Sequence, residues 1–384
     1  MDTNLETLKA AIEYAKKTGG FNTLNMIEQA ENVCIWGAGT YFLEAYERYF
    51  SSRGIHVDYV VDSNPDKNGK KILGVPCISP EQLLALNNSI VIPLLQNGYQ
   101  EVVKTCREKK LLWINPGYYF FDIQSGGERS ISWFSDNCHK FEEVYHMLED
   151  EESRFVYTHI VCHRIADRMS NIDFKELYSD GEYFNPRGLY HLEENECFVD
   201  VGAFNGDSIQ NFLNSTENNF EEIISLELSK ANYAKLNNRV MTYREEIRNK
   251  ISIYNMGAWN EECLIPCGEE PCHTGEGFSI NKGKSDFLTN EEIEYEKVVP
   301  LDTLLASNRV TLIKMDIEGA EQNALEGAKQ IIQKQTPKLA ICIYHSLEDL
   351  WEIPLQIKRM VPEYKIGVRH HTAGMGDTVC YAYM

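Results

Sequence analysis

Short hydrophobic runs alternate with helix-spaced segments throughout the second half of the chain. Runs over 196–201, 223–227, 251–256, 310–316, 337–345, 364–369 and 379–383 predict seven strands, with helices starting near Ile209 and over 231–240, 320–333 and 351–360. Apolar runs of this kind suit a parallel sheet covered on both faces, so the spacing predicts an α/β fold. A polar stretch over 260–297, with Gly268, Gly275 and Gly277, is long enough to be a functional loop. In the first half, Leu5, Leu8, Ile12 and Ala15 have helical spacing. Strands follow at 33–36, 57–62, 90–93 and 111–114, with a helix over 40–52 and another starting at Pro80. This is a smaller Rossmann-like α/β unit. Between the halves, Gly126-Gly127 marks a joint. Phe141, Val144, Tyr145 and Leu148, then Phe155, Ile160, Ile165 and Met169, predict two helices that lie over the second domain. The expected organisation is an N-terminal domain over 1–124, a helical connector over 125–190 and a larger domain over 191–384.

The chain has 384 residues, enough for two domains, and 43% of them are hydrophobic. Lys and Arg number 37 against 58 Asp and Glu, a net charge of −21. That balance argues against nucleic acid and anionic membrane surfaces as partners. Eleven scattered cysteines, several inside apolar runs, fit a reducing compartment. The acidic N-terminus lacks the apolar core of a secretory signal, and no run reaches membrane-spanning length. The expected location is the cytoplasm, and a homodimer is compatible with the sequence.

The stretch Glu196-Cys-Phe-Val-Asp-Val-Gly-Ala-Phe-Asn-Gly-Asp-Ser208 reads as strand, glycine turn and helix N-terminus. In an open α/β sheet, ligands lie outside such strand ends. Asp200, two residues before Gly202, would repel a pyrophosphate but suits a ligand with a cationic amino-acid end, such as S-adenosylmethionine. Gly206 completes the turn, and Asp207-Ser208 is expected to cap the helix. Glu227 ends the second strand, where a carboxylate accepts both ribose hydroxyls. Asp316 ends the fourth. Trp259 follows the third strand and can lie against an adenine face or in the core. Tyr183-Phe184, just before the first strand, is either a core pair or a ligand wall.

In the N-terminal unit, Gly37-Ala-Gly39 is followed by Phe42 where a dinucleotide fingerprint wants a small residue. Asp62 could still hold a ribose. The pattern Trp36-Gly-Ala-Gly, Val61-Asp-Ser-Asn-Pro, Gly74-Val-Pro-Cys and Pro80-Glu resembles the N-terminal domain of bacterial sugar acyltransferases, which implies a nucleotide-sugar site at Gly37, Gly39 and Asp62.

Glu196-Cys-Phe-Val-Asp-Val-Gly, Ser225-Leu-Glu-Leu-Ser, Asn255-Met-Gly-Ala-Trp and Ile313-Lys-Met-Asp-Ile-Glu-Gly-Ala-Glu321 together resemble the FkbM family of methyltransferases. Ile343-Tyr-His345 and the ending Arg369-His-His with Asp377-Thr-Val-Cys-Tyr-Ala are similar to it too. The resemblance covers about residues 180–384. It implies a class I methyltransferase, a seven-stranded Rossmann-like sheet with the last strand antiparallel. It also implies S-adenosyl-L-methionine as donor and a hydroxyl acceptor on a sugar, glycan or other small metabolite. The implied cofactor set is Tyr183, Phe184, Asp200, Gly202, Ala203, Phe204, Asn205, Gly206, Asp207, Ser208, Glu227, Leu228, Gly257, Ala258, Trp259, Ser279 and Asp316. Phe204 departs from the pattern, standing where many methyltransferases have glycine.

Methyl transfer to an alcohol needs the acceptor positioned and its proton removed. His345, ending the fifth strand, is the expected base, since an imidazole titrates near neutrality. Asp316 and Glu318 are the other catalytic candidates. Glu321 is expected to serve its helix N-terminus. The site is read without a metal. Cys263, Cys267, Cys272 and His273 do not form two paired ligand arms, although Asp316, Glu318 and His345 could hold a divalent cation. The alternatives are an oxidoreductase using Gly37-Ala-Gly39 for NAD or another nucleotide, and a non-catalytic nucleotide-binding scaffold.

Overall fold

The computed structural model describes the chain apart from residues 1, 19–25, 28, 40–41, 44–45, 47–49, 52–53, 96–97, 115–130, 167–171, 270–277, 281–293 and 375. Most of the helix expected over 40–52, the Gly126-Gly127 joint, Met169, Cys272, His273, Gly275 and Gly277 lie outside the described residues. The chain divides into two compact units, Tyr14–Phe134, and Met1–Glu13 with Ser135–Met384.

In the first unit, β1 (Asn32–Trp36), β2 (Tyr59–Val61), β3 (Lys71–Ile72), β4 (Val75–Ile78), β5 (Ser89–Pro93) and β6 (Leu112–Trp113) form one sheet in the order β3-β4-β2-β1-β5-β6. The β3–β4 pair is antiparallel and the others are parallel. Strand β1 is buried on both faces. Val33 and Ile35 join one cluster with Ile90, Ile92 and Phe42, while Cys34 and Trp36 join another with Val91 and Leu83.

The second unit is built on a seven-stranded sheet. Its strands are β7 (Cys197–Val201), β8 (Glu222–Leu226), β9 (Ile251–Tyr254), β14 (Leu312–Met315), β15 (Lys338–Cys342), β16 (Lys365–His370) and β17 (Thr378–Tyr383). They lie in the order β16-β17-β15-β14-β7-β8-β9, with β17 antiparallel to both neighbours. Each run that ends in Asp200, Glu227 or Asp316 therefore delivers its acid to one carboxyl edge. Helices Asp207–Ser215, Lys230–Thr242 and Asp349–Met360 return the chain between strands.

Two expectations are corrected. The stretch 260–297 is not simply a loop, because β10 (Gly257–Ala258), β11 (Cys263–Glu269), β12 (Phe278–Ile280) and β13 (Glu294–Val299) form a small sheet in the order β10-β13-β11-β12. The helix expected over 320–333 is broken into Glu321–Glu326 and Lys329–Gln335. Gly327 sits at the break because the chain passes so close to Trp259 that a Cβ there would lie 1.9 Å from the Trp259 carbonyl oxygen.

Helices His139–Met147 and Glu151–Ile165 belong to this unit. The buried Arg369 of β16 fixes the second of them. Its guanidinium donates to Ser153 Oγ at 2.7 Å, to Asp150 Oδ1 at 3.2 Å and to the Arg187 carbonyl at 2.7 Å. Asp150 also caps the helix, accepting from Ser153 N at 2.9 Å.

Candidate active site

The turn after β7 depends on glycine. Gly202 has φ +81°, and a Cβ there would stand 2.0 Å from the Asp316 carbonyl oxygen. Gly206 has φ +83° and is itself the N-cap of Asp207–Ser215. The expected capping by Asp207 and Ser208 is thus corrected. Asp207 is already helical, and its carboxylate accepts from Ser208 N at 2.8 Å. Gly202→Ala is expected to cost about 2–3 kcal/mol through left-handed strain and backbone overlap. Urea unfolding checks this, and a loss below about 0.5 kcal/mol would show that the turn can yield.

Glu227, at the end of β8, ties this turn to the next. Oε2 accepts from Phe204 N and Oε1 from Ser229 N, each at 2.8 Å. Burial pushes its carboxyl up to about 7, against those two amides. Phe204 tolerates φ +46° in the glycine-like position, and its ring faces the Lys235 ammonium at 5.5 Å. Ala203 is buried, Asn205 is half-buried, and both belong to the same turn. Across the edge, Asn255 donates to the carbonyls of Glu227 and Leu228 at 2.9 and 3.0 Å. Trp259 is half-buried against Leu228, Ile265 and Val298, with Gly257 and Ala258 in the strand before it. Phe184 lies away from this edge, in the core against Phe198 and Phe212. Ser279 pairs through its backbone with Gly268 in the small sheet.

Asp200 is fully buried and stands in register with Lys314 of β14. The ammonium lies 3.1 Å from Asp200 Oδ1, donates to the Gly202 carbonyl at 2.6 Å and faces the Tyr183 ring at 5.5 Å. Burial pushes Asp200 up to about 6 despite this partner. Burial also works against the Lys314 charge, but Asp200 and Asp316 hold the ammonium well above the ordinary lysine value.

Beyond this pair the acids gather around one imidazole. His345 Nε2 is 3.3 Å from Asp316 Oδ1 and 3.7 Å from Glu318 Oε2, while Nδ1 is 3.0 Å from Glu321 Oε1. Asp316 also accepts from the Tyr344 hydroxyl at 3.1 Å and the Tyr183 hydroxyl at 3.4 Å. Glu318 has φ +56°, which turns the chain so that Glu321 is buried and accepts from Ile317 N at 2.8 Å. Burial works against a charged His345, but Glu321, Asp316 and Glu318 raise its pKa well above the ordinary histidine value. Burial likewise opposes ionised Asp316, but His345 and Lys314 hold it well below the usual range. The carboxylates thus hold the imidazole above the ordinary histidine value, where sequence alone suggested a group titrating near neutrality.

The neighbouring histidines are structural. His370 Nε2 donates to the Gly374 carbonyl at 2.8 Å while Nδ1 accepts from Thr378 Oγ1 at 2.9 Å. His371 Nδ1 donates to the Ser179 carbonyl and Nε2 accepts from the Tyr381 hydroxyl, both at 2.7 Å. Burial pushes both imidazoles down to about 4.

In the other unit, Gly37 has φ +124° and a Cβ would stand 2.2 Å from the Leu94 carbonyl oxygen, while Gly39 is open. The Asp62 carboxylate already accepts from Ala38 N at 3.1 Å, Asn64 N at 2.8 Å and the Lys67 ammonium at 2.8 Å. A ribose at Asp62 would compete with that ion pair.

Sequence reasoning passed over Lys314, the burial of Glu321, and the tyrosines 183 and 344 as ligands of Asp316. Lys314 could have been found, since a lysine in the middle of an otherwise apolar strand needs a partner.

The strand order, the reversed last strand and the acids at one carboxyl edge define a class I methyltransferase fold. Residues 200–365 match the model of the methyltransferase FkbM domain. A solved structure, methyltransferase FkbM from Methylobacillus flagellatus KT, has 22% identity over 99% of both chains with a TM-score of 0.74, so the fold extends over the whole length. Fibrillarin of Aeropyrum pernix, solved with natively bound S-adenosyl-L-methionine, has 11% identity over 51% of this chain and 70% of its own, with a TM-score of 0.32. No curated protein matches the sequence. Among the described residues, no helix is long and apolar enough to cross a membrane.

Proposed function

We propose that the protein is a cytoplasmic, S-adenosylmethionine-dependent O-methyltransferase acting on a hydroxyl of a sugar, nucleotide-sugar or related small metabolite. The observation that carries this reading is the convergence of Asp200, Glu227, Asp316 and His345 on one edge of the sheet, beside the Gly202 turn. Asp200 lies beneath the Gly202 turn, and its buried carboxylate, shared with the Lys314 ammonium at 3.1 Å, sets the charge under the cationic end of the cofactor. Glu227 keeps lone pairs for the ribose hydroxyls beyond those given to Phe204 and Ser229. Cofactor supplies the sulfonium methyl. Asp316, Glu318 and His345 align the acceptor hydroxyl and manage its proton. The methyl leaves sulfur, whose bonding pair stays behind as a neutral thioether, and bonds to the acceptor oxygen. In the smaller unit, Gly37, Gly39 and Asp62 are the candidates for a nucleotide, which would compete with Lys67 for Asp62.

The test is calorimetry with S-adenosylhomocysteine. Wild type is expected to bind, and Glu227→Ala to bind about 10–100-fold more weakly, the loss of a charge-assisted hydrogen bond. No binding by folded wild type at about millimolar ligand would remove the cofactor assignment. The affinity should also fall as pH drops from 8 to 6, because Glu227 is pushed up to about 7 and must be ionised to accept fully. Glu227→Gln should show no such step. For stability the sign is opposite. A carboxyl whose folded pKa is raised favours the folded state below it, so this contribution is lost as pH rises through about 7. Turnover with labelled S-adenosylmethionine against a panel of sugars and nucleotide-sugars identifies the acceptor, and Asp62→Ala should weaken only nucleotide-linked ones.

A further inference from the structure

Among the described residues, Asp316, Glu321 and His345 each place a ligating atom within 4.8 Å of the other two. Glu321 is wholly buried and His345 is 7% exposed. Neither ring nitrogen of His345 makes a hydrogen bond, although carboxylate oxygens stand 3.0 and 3.3 Å away. Asp316 faces Nε2 and Glu321 faces Nδ1. Glu321 Oε2 is buried without a hydrogen bond as well. An imidazolium clamped for its own sake would aim both N–H groups at acceptors. A set of close but undirected acceptors is instead what a spherical ion draws together.

The charges point the same way. Asp316 and Glu321 share the cluster with Glu318. Lys314, the buried ammonium nearby, is already committed to Asp200 and the Gly202 carbonyl. One imidazolium leaves the group negative. A divalent ion with a neutral imidazole would come closer to balance.

We propose that Asp316, Glu321 and His345 bind one divalent first-row metal ion at the carboxyl edge of the seven-stranded sheet, with its remaining positions open to the acceptor. Two carboxylates and one imidazole are a donor set that Mn²⁺ accepts and that does not require thiolate. Ligand atoms around an ion with bonds of about 2.1 Å stand about 3–4 Å apart, so the site closes when Asp316 and Glu321, which now face different ring nitrogens, swing to the same one. Its purpose rests on the methyl-transfer reading above, although its existence does not. Held by Asp316, Glu321 and His345, an ion would supply Lewis acidity that lowers the pKa of the acceptor hydroxyl. The proton passes to Glu318, the oxygen bonds to the methyl carbon, and the carbon–sulfur bond breaks with its pair left on sulfur.

The experiment is a Mn²⁺ titration of chelator-treated full-length protein, following free Mn²⁺ by electron paramagnetic resonance, with S-adenosylhomocysteine affinity measured in the same samples. Wild type is expected to take up one Mn²⁺ per chain, and His345→Ala and Asp316→Asn each to weaken it at least about tenfold. Both variants are checked for folding by circular dichroism. Glu321→Gln is a poorer probe, since that carboxylate also holds Ile317 N. No uptake by folded wild type below about 1 mM Mn²⁺, or uptake that survives both substitutions, overturns the site. Uptake of Mn²⁺ without S-adenosylhomocysteine binding would leave the ion in place and remove the methyl-transfer reading. The reverse result would remove the ion alone.

Discussion

His345→Ala is expected to lower methyl-transfer turnover about 10²–10⁴-fold while leaving S-adenosylhomocysteine affinity within about twofold. The ring lies at the end of the fifth parallel run and touches Asp316, Glu318 and Glu321, whereas the cofactor turn rests on Asp200, Gly202 and Glu227. Losing the imidazole removes the group that holds Asp316 and Glu318 in place to align the hydroxyl. His345→Gln should recover little. An amide carries no charge to hold those carboxylates, and it is a weak metal ligand. A cost to stability is expected as well, because removal of the ring leaves the Asp316 and Glu321 carboxylates together without a cation between them. Near-normal turnover in folded His345→Ala protein would move the chemistry to Asp316 or Glu318.

Lys314→Met is expected to destabilise the fold by about 3–5 kcal/mol, the usual cost of leaving one member of a buried ion pair alone. Both partners are buried, and the ammonium also satisfies the Gly202 carbonyl. The loss should be larger at pH 8 than at pH 5. Asp200 is pushed up to about 6 even with its partner present, and without it the carboxyl moves higher still. At pH 5 it is then protonated and neutral, and a raised folded pKa favours the folded state at low pH. Adding Asp200→Asn to Lys314→Met should restore part of the stability at pH 8. Urea unfolding of wild type, Lys314→Met and the double variant at both pH values makes the measurement. A loss below about 1 kcal/mol at pH 8 would show that water or a rotated side chain replaces the ammonium.

Much of this architecture could be read from the chain because each parallel run is apolar along its length and stops at an acid. The strands of the larger sheet appeared near their observed places for that reason, and so did the candidates Asp200, Glu227 and Asp316. What could not be read is what long-range register decides. Lys314 faces Asp200 only because β14 lies beside β7, across more than a hundred residues of sequence. Glu321 looks like an ordinary first-turn acid until the left-handed Glu318 turns it inward. The small sheet from β10 to β13 was hidden by its polar composition and by Pro266, which make a paired segment look like a loop. Asp62 had its partner only five residues away, and a lysine closing an Asp-rich turn is a local signal that could have been used.

The two amides held by Glu227 have a kinetic consequence. Phe204 and Ser229 belong to different connections, one after β7 and one after β8, and the same carboxylate fixes both before any ligand arrives. On the proposed cofactor assignment, both loops are held before binding, so encounter with the cofactor would be a docking event and not a coupled folding event. Association should then be fast and nearly single-exponential, with a modest heat-capacity change. The Glu227→Ala protein should bind more slowly as well as more weakly, in contrast to the usual pattern in which a lost contact is felt mainly in the dissociation rate.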